Sequence, residues 1–247
     1  MDNAVWATWY DLDEGDNSDY FGWLHDDYLP SLRARPGYAW SAHYKAGAKE
    51  GGGMGEVRQR LGRMDDPTVG TGTQYLMLVG AVEPATLVAP NVFSDEVKLS
   101  AETKKMLARQ KGVRTCLFNV FARVDGPEAG LRPPGTTPGP VIQMGSFRTR
   151  TLDDEYDVCA WYAQHRLPAI AHMPGCIAAR VMVCCAGWAK FSVMYEFTSV
   201  EARQQNFEER HEALDPSQIP WTHRVHDYTV HAPGSPTVGS RLWPEVE

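Results

Sequence analysis

The chain has 247 residues, with 24 Lys and Arg against 31 Asp and Glu and a formal net charge of −7. This charge makes a nucleic-acid backbone or an anionic membrane a poor partner. Hydrophobic residues make up 43% and charged residues 22%, values that are ordinary for a folded globular protein and not for a disordered one. The length allows one large domain or two of ordinary size.

The sequence carries no sign of a membrane span or a secretory leader. No apolar run reaches the roughly eighteen residues that a spanning helix needs, and the acidic start, 1–16, lacks a basic segment and an apolar segment. The cysteines, at positions 116, 159, 176, 184 and 185, show no C-x2-C spacing, so we expect buried, reduced thiols. These features predict a cytoplasmic protein.

Taken in chain order, the first half alternates strands and helices. Apolar and aromatic patterns predict strand 5–10, helix 20–34, strand 38–44, strand 74–81, helix 94–111 and strand 113–124. Pro30 is expected to kink or end the first helix near Tyr28. The glycine-rich stretch 46–73 is predicted as a flexible insertion, because no Gly-Lys-Ser/Thr follows its glycines.

The second half repeats this order after a segment rich in proline and glycine, 126–140, which we interpret as a linker. The predicted elements are strand 141–148, helix 153–172, strand 176–186, strand 190–197, helix 199–214 and a last strand, 223–230. The predicted domains are therefore 1–125 and 141–232, followed by a tail, 233–247, that wraps over the body or is loose.

One motif occurs twice. The pattern W-x5-L-P-x5-P-G spans 23–37 and again 161–175, at a constant offset of 138 residues. Matching prolines and glycines at one offset indicate an internal duplication. We expect the tryptophans and the Leu-Pro and Pro-Gly pairs to be structural, because they shape the helix exit and the following turn.

Each half reads β-α-β-β-α-β, the ferredoxin-like plan, with both helices on one face of an antiparallel sheet. The other sheet face is left apolar and must be buried. The predicted fold is therefore α+β, with two tandem ferredoxin-like units packed sheet to sheet as a pseudo-dimeric α/β barrel.

The second copy of the motif resembles a known family. Its W-x3-H-x2-P-x5-P-G spacing, at Trp161, His165, Pro168, Pro174 and Gly175, is similar to that of EthD-like proteins of the dimeric α/β-barrel superfamily. The resemblance implies a single unit that pairs through its sheet, here fused in tandem. The relatives include lactone isomerases, cyclases, cofactor-free oxygenases and haem enzymes, so the resemblance does not choose a reaction. The first copy departs from the pattern, with Asp27 where the second has His165.

Two residues are candidates for catalysis. His165 could act as a general base near neutral pH, and Arg180, in an apolar strand, needs a carboxylate partner or an anionic ligand. At about 100° per residue, however, Trp161 and His165 lie well round the helix from an expected core stripe, which favours a structural role. The candidate substrate-binding residues are Tyr10, His43, Tyr44, Trp161 and His172.

No metal site is predicted. His223 and His226 lie on the predicted last strand three positions apart, where they would face opposite sides. No H-E-x-x-H or similar ligand spacing occurs elsewhere.

The sequence favours a protein that binds a small aromatic or lactone-like organic molecule, as an EthD-like isomerase, cyclase or decarboxylase that transfers a proton without a cofactor. An oxygenase of the same fold is a related expectation. The alternatives are a non-catalytic binding protein and a haem-binding tandem barrel. Assembly as a homodimer is a further expectation.

Overall fold

The computed structural model describes residues 2–47, 61–88, 98–133, 135–212, 217 and 219–246. Much of the predicted insertion and the start of the helix predicted over 94–111 lie outside these residues.

In the first half, strands and helices alternate around a helix made of three segments. This helix, α1, comprises Ser18–Gly22, the π-helical segment Trp23–Tyr28, and Leu29–Arg33. The other elements are β1 Ala4–Asp11, β2 Tyr38–Ala46, β3 Gly62–Arg63, β4 Tyr75–Ala81, α2 Pro84–Val88, α3 Ala101–Leu107 and β5 Lys111–Asp125.

The second half begins after a short 3₁₀ turn, Ala129–Leu131. Its first helix, α4, comprises Leu152–Trp161, the π-helical segment Tyr162–Arg166, and Leu167–Ala171. The helix α5 comprises Val200–Arg203 and the π-helical segment Gln204–Glu212. The other elements are β6 Val141–Thr149, β7 Cys176–Ala186, β8 Phe191–Phe197, α6 Pro220–Tyr228, β9 Thr229–His231 and β10 Thr237–Trp243.

The two helices that contain the repeated motif accommodate their prolines in the same way. A proline inside a helix lacks a donor and clashes with the turn before it. In both α1 and α4 the preceding turn widens into a π-helix, and the helix continues beyond Pro30 and Pro168. The first helix therefore does not end near Tyr28. Gly37 and Gly175 then turn each chain into the next strand with φ of 81° and 77°, a conformation that favours glycine.

Eight strands close into an antiparallel barrel. Their order is β10-β2-β4-β1-β5-β7-β8-β6, and β6 pairs back with β10. Strands of the first half follow the order β2-β4-β1-β5, and those of the second half follow the same order as β7-β8-β6-β10. The short strands β9 and β3 extend the sheet beside β6.

The end of the chain differs from the prediction. The segment predicted as a last strand, 223–230, is mainly the helix α6, which begins with Pro220 and buries Thr222, Val225 and Tyr228 at helical spacing. The segment predicted as a tail instead supplies β10, which joins β2 to β6. The last barrel strand therefore lies in the expected tail.

The alternation of strand residues divides the core into three layers. Along β1, Val5, Ala7 and Trp9 face the barrel interior, whereas Trp6 and Tyr10 face α1. A third cluster lies between the second-half strands and α4, α5 and α6. The barrel interior is thus packed, and each half carries a layer between sheet and helices where a pocket can form. Among the described residues, no helix is long and apolar enough to cross a membrane.

Candidate functional site

The first half holds a cavity of about 480 Å³ between its sheet and the helices α1 and α3. This volume falls in the range of small-molecule sites, about 300–1,000 Å³. Its lining residues come from three strands, two helices and the turn before β5: Trp6, Thr8, Tyr28, Met77, Leu99, Lys104, Leu107, Ala108, Gln110, Val113 and Thr115. The wall is mostly apolar, as expected for an organic ligand.

A few polar groups are placed in this wall. The hydroxyls of Thr8 and Thr115, on paired strands, lie 3.3 Å apart. Burial raises the pKa of Tyr28 to about 12, so its hydroxyl is neutral at pH 7 and can donate a hydrogen bond. The Gln110 amide donates to the Tyr20 hydroxyl at 2.9 Å. The wall can therefore orient a phenol or a carbonyl.

Behind this wall a row of hydrogen bonds runs between sheet and helix. The Tyr10 hydroxyl lies 2.8 Å from Nε2 of His43, whose Nδ1 lies 2.9 Å from Nε2 of His25. Burial raises the pKa of Tyr10, with a smaller contribution from Tyr20, and burial keeps the pKa of His43 well below its usual value. Both groups are therefore neutral at pH 7, and the row can pass a proton by reversing its hydrogen bonds.

The row ends at the surface. His25 is half-buried on the π-helical segment of α1, and its ring stacks on Trp243 of β10 with centroids 6.2 Å apart. At the other end, Tyr20 lies edge-on to Tyr10, with centroids 6.2 Å apart, and it contacts the pocket-lining Gln110. A line of polar groups thus connects the pocket wall to solvent.

The equivalent place in the second half is nearly filled. The cavity there measures only about 60 Å³, room for a few waters. It lies between β6, β8 and the helices α4 to α6, and its lining residues are Leu61, Gln143, Gly145, Phe147, Trp161, Tyr162, Arg166, Val193, Tyr195, Phe207, Glu212, Val225, His226, Thr229, His231 and Pro236.

A buried ion pair occupies this layer. Arg166 donates to Glu212, and its guanidinium lies 4.5 Å from the Trp161 ring centroid. Burial would raise the pKa of Glu212, but Arg166 holds it below its usual range. Nε2 of His211 and Nε2 of His226 lie 3.9 and 4.0 Å from the same carboxylate, and burial lowers the pKa of both imidazoles to about 4. Both are neutral at pH 7.

Arg180 lies in the barrel interior. Its guanidinium donates to Asp2 and Glu196, each at 2.7 Å, and Trp40 donates to the same Asp2 at 2.7 Å. Burial would raise the pKa of Asp2, but Arg180 and Arg123 hold it well below its usual value. The carboxylate partners that the apolar strand required are therefore both present.

His165 lies on the outer side of the barrel, on α4, and so the structure does not bring it together with Arg180. Its Nε2 is buried without a hydrogen-bond partner, and its ring centroid lies 6.5 Å from that of His211. Trp161 is 3% exposed and donates to Thr222 at 3.2 Å. The helical-wheel expectation that Trp161 lies away from the core is wrong, because the π-helical segment shifts the phase of the helix.

Two other predicted binding residues contact neither cavity. The Tyr44 hydroxyl donates to the carbonyls of Pro138 and Gly139, inside the barrel, at 3.2 and 2.9 Å. His172 is exposed, with Nδ1 2.9 Å from the Pro168 carbonyl at the end of α4. Tyr10 and His43 do meet, as partners in one hydrogen bond.

Sequence reasoning missed most residues of the first-half wall. Trp6 and Thr8 alternate on β1 toward α1, and this period-2 pattern could have placed them on the helix-facing side. The contribution of α3 could not be found in this way, because its amphipathic pattern does not show which part of the sheet it covers. Among the described residues, no cluster of His, Cys, Asp and Glu could hold a metal ion.

Known structures share this fold. A structure described as an anthrone oxidase-like protein matches with a TM-score of 0.59 at 11% identity, over 98% of this chain and 92% of that one. A candidate monooxygenase from Fusobacterium nucleatum matches at 0.58 and 8% identity, over 98% and 93%. Another from Lactobacillus acidophilus matches at 0.50 and 10%, over 98% and 94%.

The closed eight-stranded barrel with helices on its outside is the dimeric α/β-barrel fold, as the sequence predicted. Identities near 10% show the fold alone. No family model matches the chain, and no curated protein matches it.

Proposed function

We propose that this protein binds a small, mainly apolar aromatic molecule in the first-half pocket. The observation that carries the proposal is the half-open cavity of about 480 Å³, which is lined mainly by apolar side chains with a few polar groups among them. Among apolar ligands we choose an aromatic one because a structure of this fold is described as an anthrone oxidase-like protein. The Thr8, Tyr28 and Gln110 side chains would orient its oxygen atoms.

The proposed reaction is removal of a proton from a phenolic or enolisable ligand, ahead of isomerisation or reaction with oxygen. His43 lies beside Met77, its partner in the strand register, and is not among the residues that line the pocket. The proton therefore leaves beside Gln110, through Tyr20 and Tyr10 to His43, and reaches solvent at His25. In this scheme His43 is a positioning and relay residue.

A non-catalytic binding protein is the second candidate. The observation that favours it is the wall itself, whose ionisable groups among the described residues are Lys104 and Tyr28. Neither is placed as a base, because burial keeps the proton on Tyr28 and Lys104 is exposed to solvent at the rim. This protein would hold its ligand in the same pocket without converting it.

Binding is tested first, with 1-naphthol and anthrone as probes and decalin as an apolar probe without oxygen. Quenching of tryptophan fluorescence reports occupancy by 1-naphthol or anthrone, because Trp6 lines the pocket. Binding of decalin, which cannot quench, is followed by isothermal titration calorimetry. We expect saturable binding of the two oxygen-bearing probes. Absence of saturable binding for all three probes would overturn the proposal.

Turnover separates the two candidates. Consumption of anthrone and of oxygen is followed for the wild type and for His43→Gln, with Tyr10→Phe as a second variant that removes only a hydroxyl. Turnover that falls at least about tenfold in both variants, with unchanged probe affinity, supports the relay. Binding without any turnover in the wild type supports the second candidate.

The predicted roles of His165 and Arg180 remain proposals. The unpartnered Nε2 of His165 supports a chemical role in the second half, whereas the Arg180 ion pairs support a structural one. His165→Ala in the turnover assay tests the first. A loss as large as that in His43→Gln would move the site to the second half.

A haem site fits neither cavity. A space of about 60 Å³ is too small for a porphyrin, and the described wall of the first-half pocket contains no histidine to ligate iron. We therefore do not propose a haem-dependent reaction for this protein.

We further propose that the chain is an EthD-like tandem duplication of a ferredoxin-like unit. The repeats were predicted over 1–125 and 141–232, and because β10 supplies the fourth strand of the second unit, we extend the second repeat to its end at Trp243. The repeated motif, the equal strand orders and the two π-helical segments support this proposal. A cytoplasmic location and a homodimer stay predictions. Sedimentation of the purified protein at several concentrations tests the homodimer.

A further inference from the structure

Two thiols meet where the halves of the barrel join. The strands β5 and β7 pair across this seam, with Leu117 opposite Ala186 and Phe118 opposite Cys184. Both cysteines belong to the core inside the barrel, and Cys184 pairs with Phe118, two residues from Cys116, so the two thiols are neighbours on one face. The Cys184 thiol itself donates to the Ala186 carbonyl at 3.0 Å. Cys116 is 1% exposed and Cys184 is half-buried. One sulfur comes from each half of the chain.

Beside Cys116 lies a buried cation with unused donors. Arg114 is 4% exposed, and its Nε and Nη2 have no hydrogen-bond partner. Its Nη1 donates to the Gly70 carbonyl at 3.1 Å, and its guanidinium lies 4.6 Å from the Trp9 ring centroid. A buried charge needs a compensating charge nearby.

The Cys116 sulfur is suited to carry that negative charge. The backbone N–H groups of Trp188 and Ala189 lie close to it. The neighbouring Cys184 thiol, followed by the Ala189 backbone and Arg114, lowers the pKa of Cys116 to about 7 against burial, whereas the pKa of Cys184 is raised. The nearby Asp11 already accepts from two backbone N–H groups through Oδ1. Cys116 is thus the thiolate of the pair and Cys184 the thiol.

The pair is reachable by a small molecule. The end of β7 and the turn after it, residues 185–187, are exposed. Gly187, with φ of 128°, packs against the buried sulfur so closely that a Cβ there would lie 2.7 Å from Sγ of Cys116. On the side of this turn, no side chain of residue 187 lies between the sulfur and the surface.

We propose that Cys116 and Cys184 are a redox-active dithiol, which a hydroperoxide oxidises to a disulfide joining the two halves of the barrel. The Cys116 thiolate attacks one peroxide oxygen, and the O–O bond breaks to give a sulfenic acid and hydroxide. The Cys184 sulfur then displaces the sulfenic hydroxyl. An S–S bond forms, and the sulfenic hydroxyl leaves with the Cys184 thiol proton as one water. The hydroxide from the first step becomes the second water by taking up the proton that Cys116 released on ionising. The proposal does not depend on the function of the pocket.

The test uses the Cys185→Ser variant of the full chain, so that a mapped bond at this site must involve Cys184. The variant is treated with equimolar hydrogen peroxide at pH 7, alkylated with N-ethylmaleimide and mapped by mass spectrometry without reduction. We expect a peptide pair linked through Cys116 and Cys184. Sulfenic or sulfonic acid without this link, or exclusive disulfide dimers between chains, would overturn the proposal.

The role of the buried cation is tested in the same background. Arg114→Gln should slow formation of the link at least about fivefold, and Arg114→Lys should restore part of the rate because the charge returns. Cys159→Ser, far from the seam, is the matched control and should leave the rate unchanged. Circular dichroism confirms folding of each variant. A folded Arg114→Gln protein with the original rate would remove Arg114 from the proposal.

Discussion

In each half of the molecule a layer of side chains lies between the sheet and the helices. The two layers have the same arrangement of strands and motif helices, but different side chains occupy them. In the first, apolar side chains surround a cavity of about 480 Å³, and in the second an ion pair and packed aromatics leave about 60 Å³. At the motif offset of 138 residues, Tyr28 of the first layer corresponds to Arg166 of the second. Each packs on the motif tryptophan, Tyr28 on Trp23 with ring centroids 4.9 Å apart. The repeated motif residues thus give both halves the same backbone path, and the residues between them determine whether the layer contains a cavity.

The helices above the sheets complete the difference. The second layer is covered by α5 and α6, which insert Phe207 and Val225. The described part of the first layer is covered, beside α1, by the short helices α2 and α3. The sheet and helices around a pocket must be stable without side chains that fill the space between them. The following predictions test whether the side chains that fill the second layer contribute to the free energy of unfolding.

The largest expected effect is on the ion pair. Arg166→Met leaves Glu212 buried without its partner, which typically costs about 3–5 kcal/mol. Tyr28→Phe, its counterpart, should cost less than about 1.5 kcal/mol, because only a hydroxyl is removed. Urea unfolding followed by circular dichroism measures both. The double variant Arg166→Met/Glu212→Leu should recover most of the loss, and equal costs for the two single variants would contradict the comparison.

The next effect is the dependence of stability on pH. Burial lowers the pKa of His226 to about 4 and that of His231 to about 3, and lowers that of His43 as well. Below about pH 6.5 the unfolded chain binds protons that the folded chain does not, so stability falls as the pH falls.

We expect a loss on the order of 1–3 kcal/mol for His226 and for His231 between pH 7 and pH 4. The measurement is the urea midpoint at several pH values. His226→Gln should flatten the curve, whereas His172→Gln, at an exposed position, should leave it unchanged. A curve of unchanged slope in His226→Gln would show that this imidazole does not contribute.

The two turn glycines give a matched pair with a smaller effect. Gly37→Ala and Gly175→Ala both place a side chain at positive φ, which costs about 1–2 kcal/mol. A Cβ at Gly175 would lie 2.6 Å from the Cβ of Ala202, whereas one at Gly37 would meet the end of the Thr86 side chain at 2.7 Å. Thr86 can change rotamer and the Ala202 methyl cannot. Thermal unfolding should therefore show the larger loss for Gly175→Ala.

The smallest effect is expected on ligand affinity. Ala108, exposed at the rim of the first pocket, can be replaced by Trp to fill the space without disturbing the core. We expect 1-naphthol affinity to fall about tenfold, equivalent to about 1.4 kcal/mol. Gly145→Ala, in the second cavity, adds a methyl at ordinary contact distance and should leave affinity unchanged. A loss only in Gly145→Ala would place the ligand in the second half.

Much of the architecture could be predicted from local patterns. Strand alternation, the prolines and the repeated motif placed most barrel strands and both motif helices, and the need to bury the second sheet face indicated the closed barrel. The C-terminal strand was missed because TVGSRLW, 237–243, stands among prolines and glycines and has only modest hydrophobicity. Its place in the sheet depends on partners in both halves.

The site was less predictable, because it depends on contacts between distant elements. Tyr10 and His43 could be chosen from their strands, but the pairing of His43 with His25 depends on how the π-helical segment rotates α1. Arg180 was recognised as a residue that needs a partner, whereas the Asp2 carboxylate that meets it lies 178 positions earlier. A sequence pattern can show that a buried charged residue needs a partner, but it does not show which distant residue supplies that partner.

The closing strand β10 has a consequence for how the barrel opens. It pairs with β2 on one side and with β6 on the other, and Gly239 lies opposite both Ala46 and Ile142. Its contacts with β2 span about 190 residues of chain, so their loop-closure cost is among the highest in the fold. Detachment of this one strand would leave two unpaired sheet edges, one from each half, without unfolding either layer. We therefore expect the amides of β10 to exchange with solvent earlier than those of β1, which lies between β4 and β5.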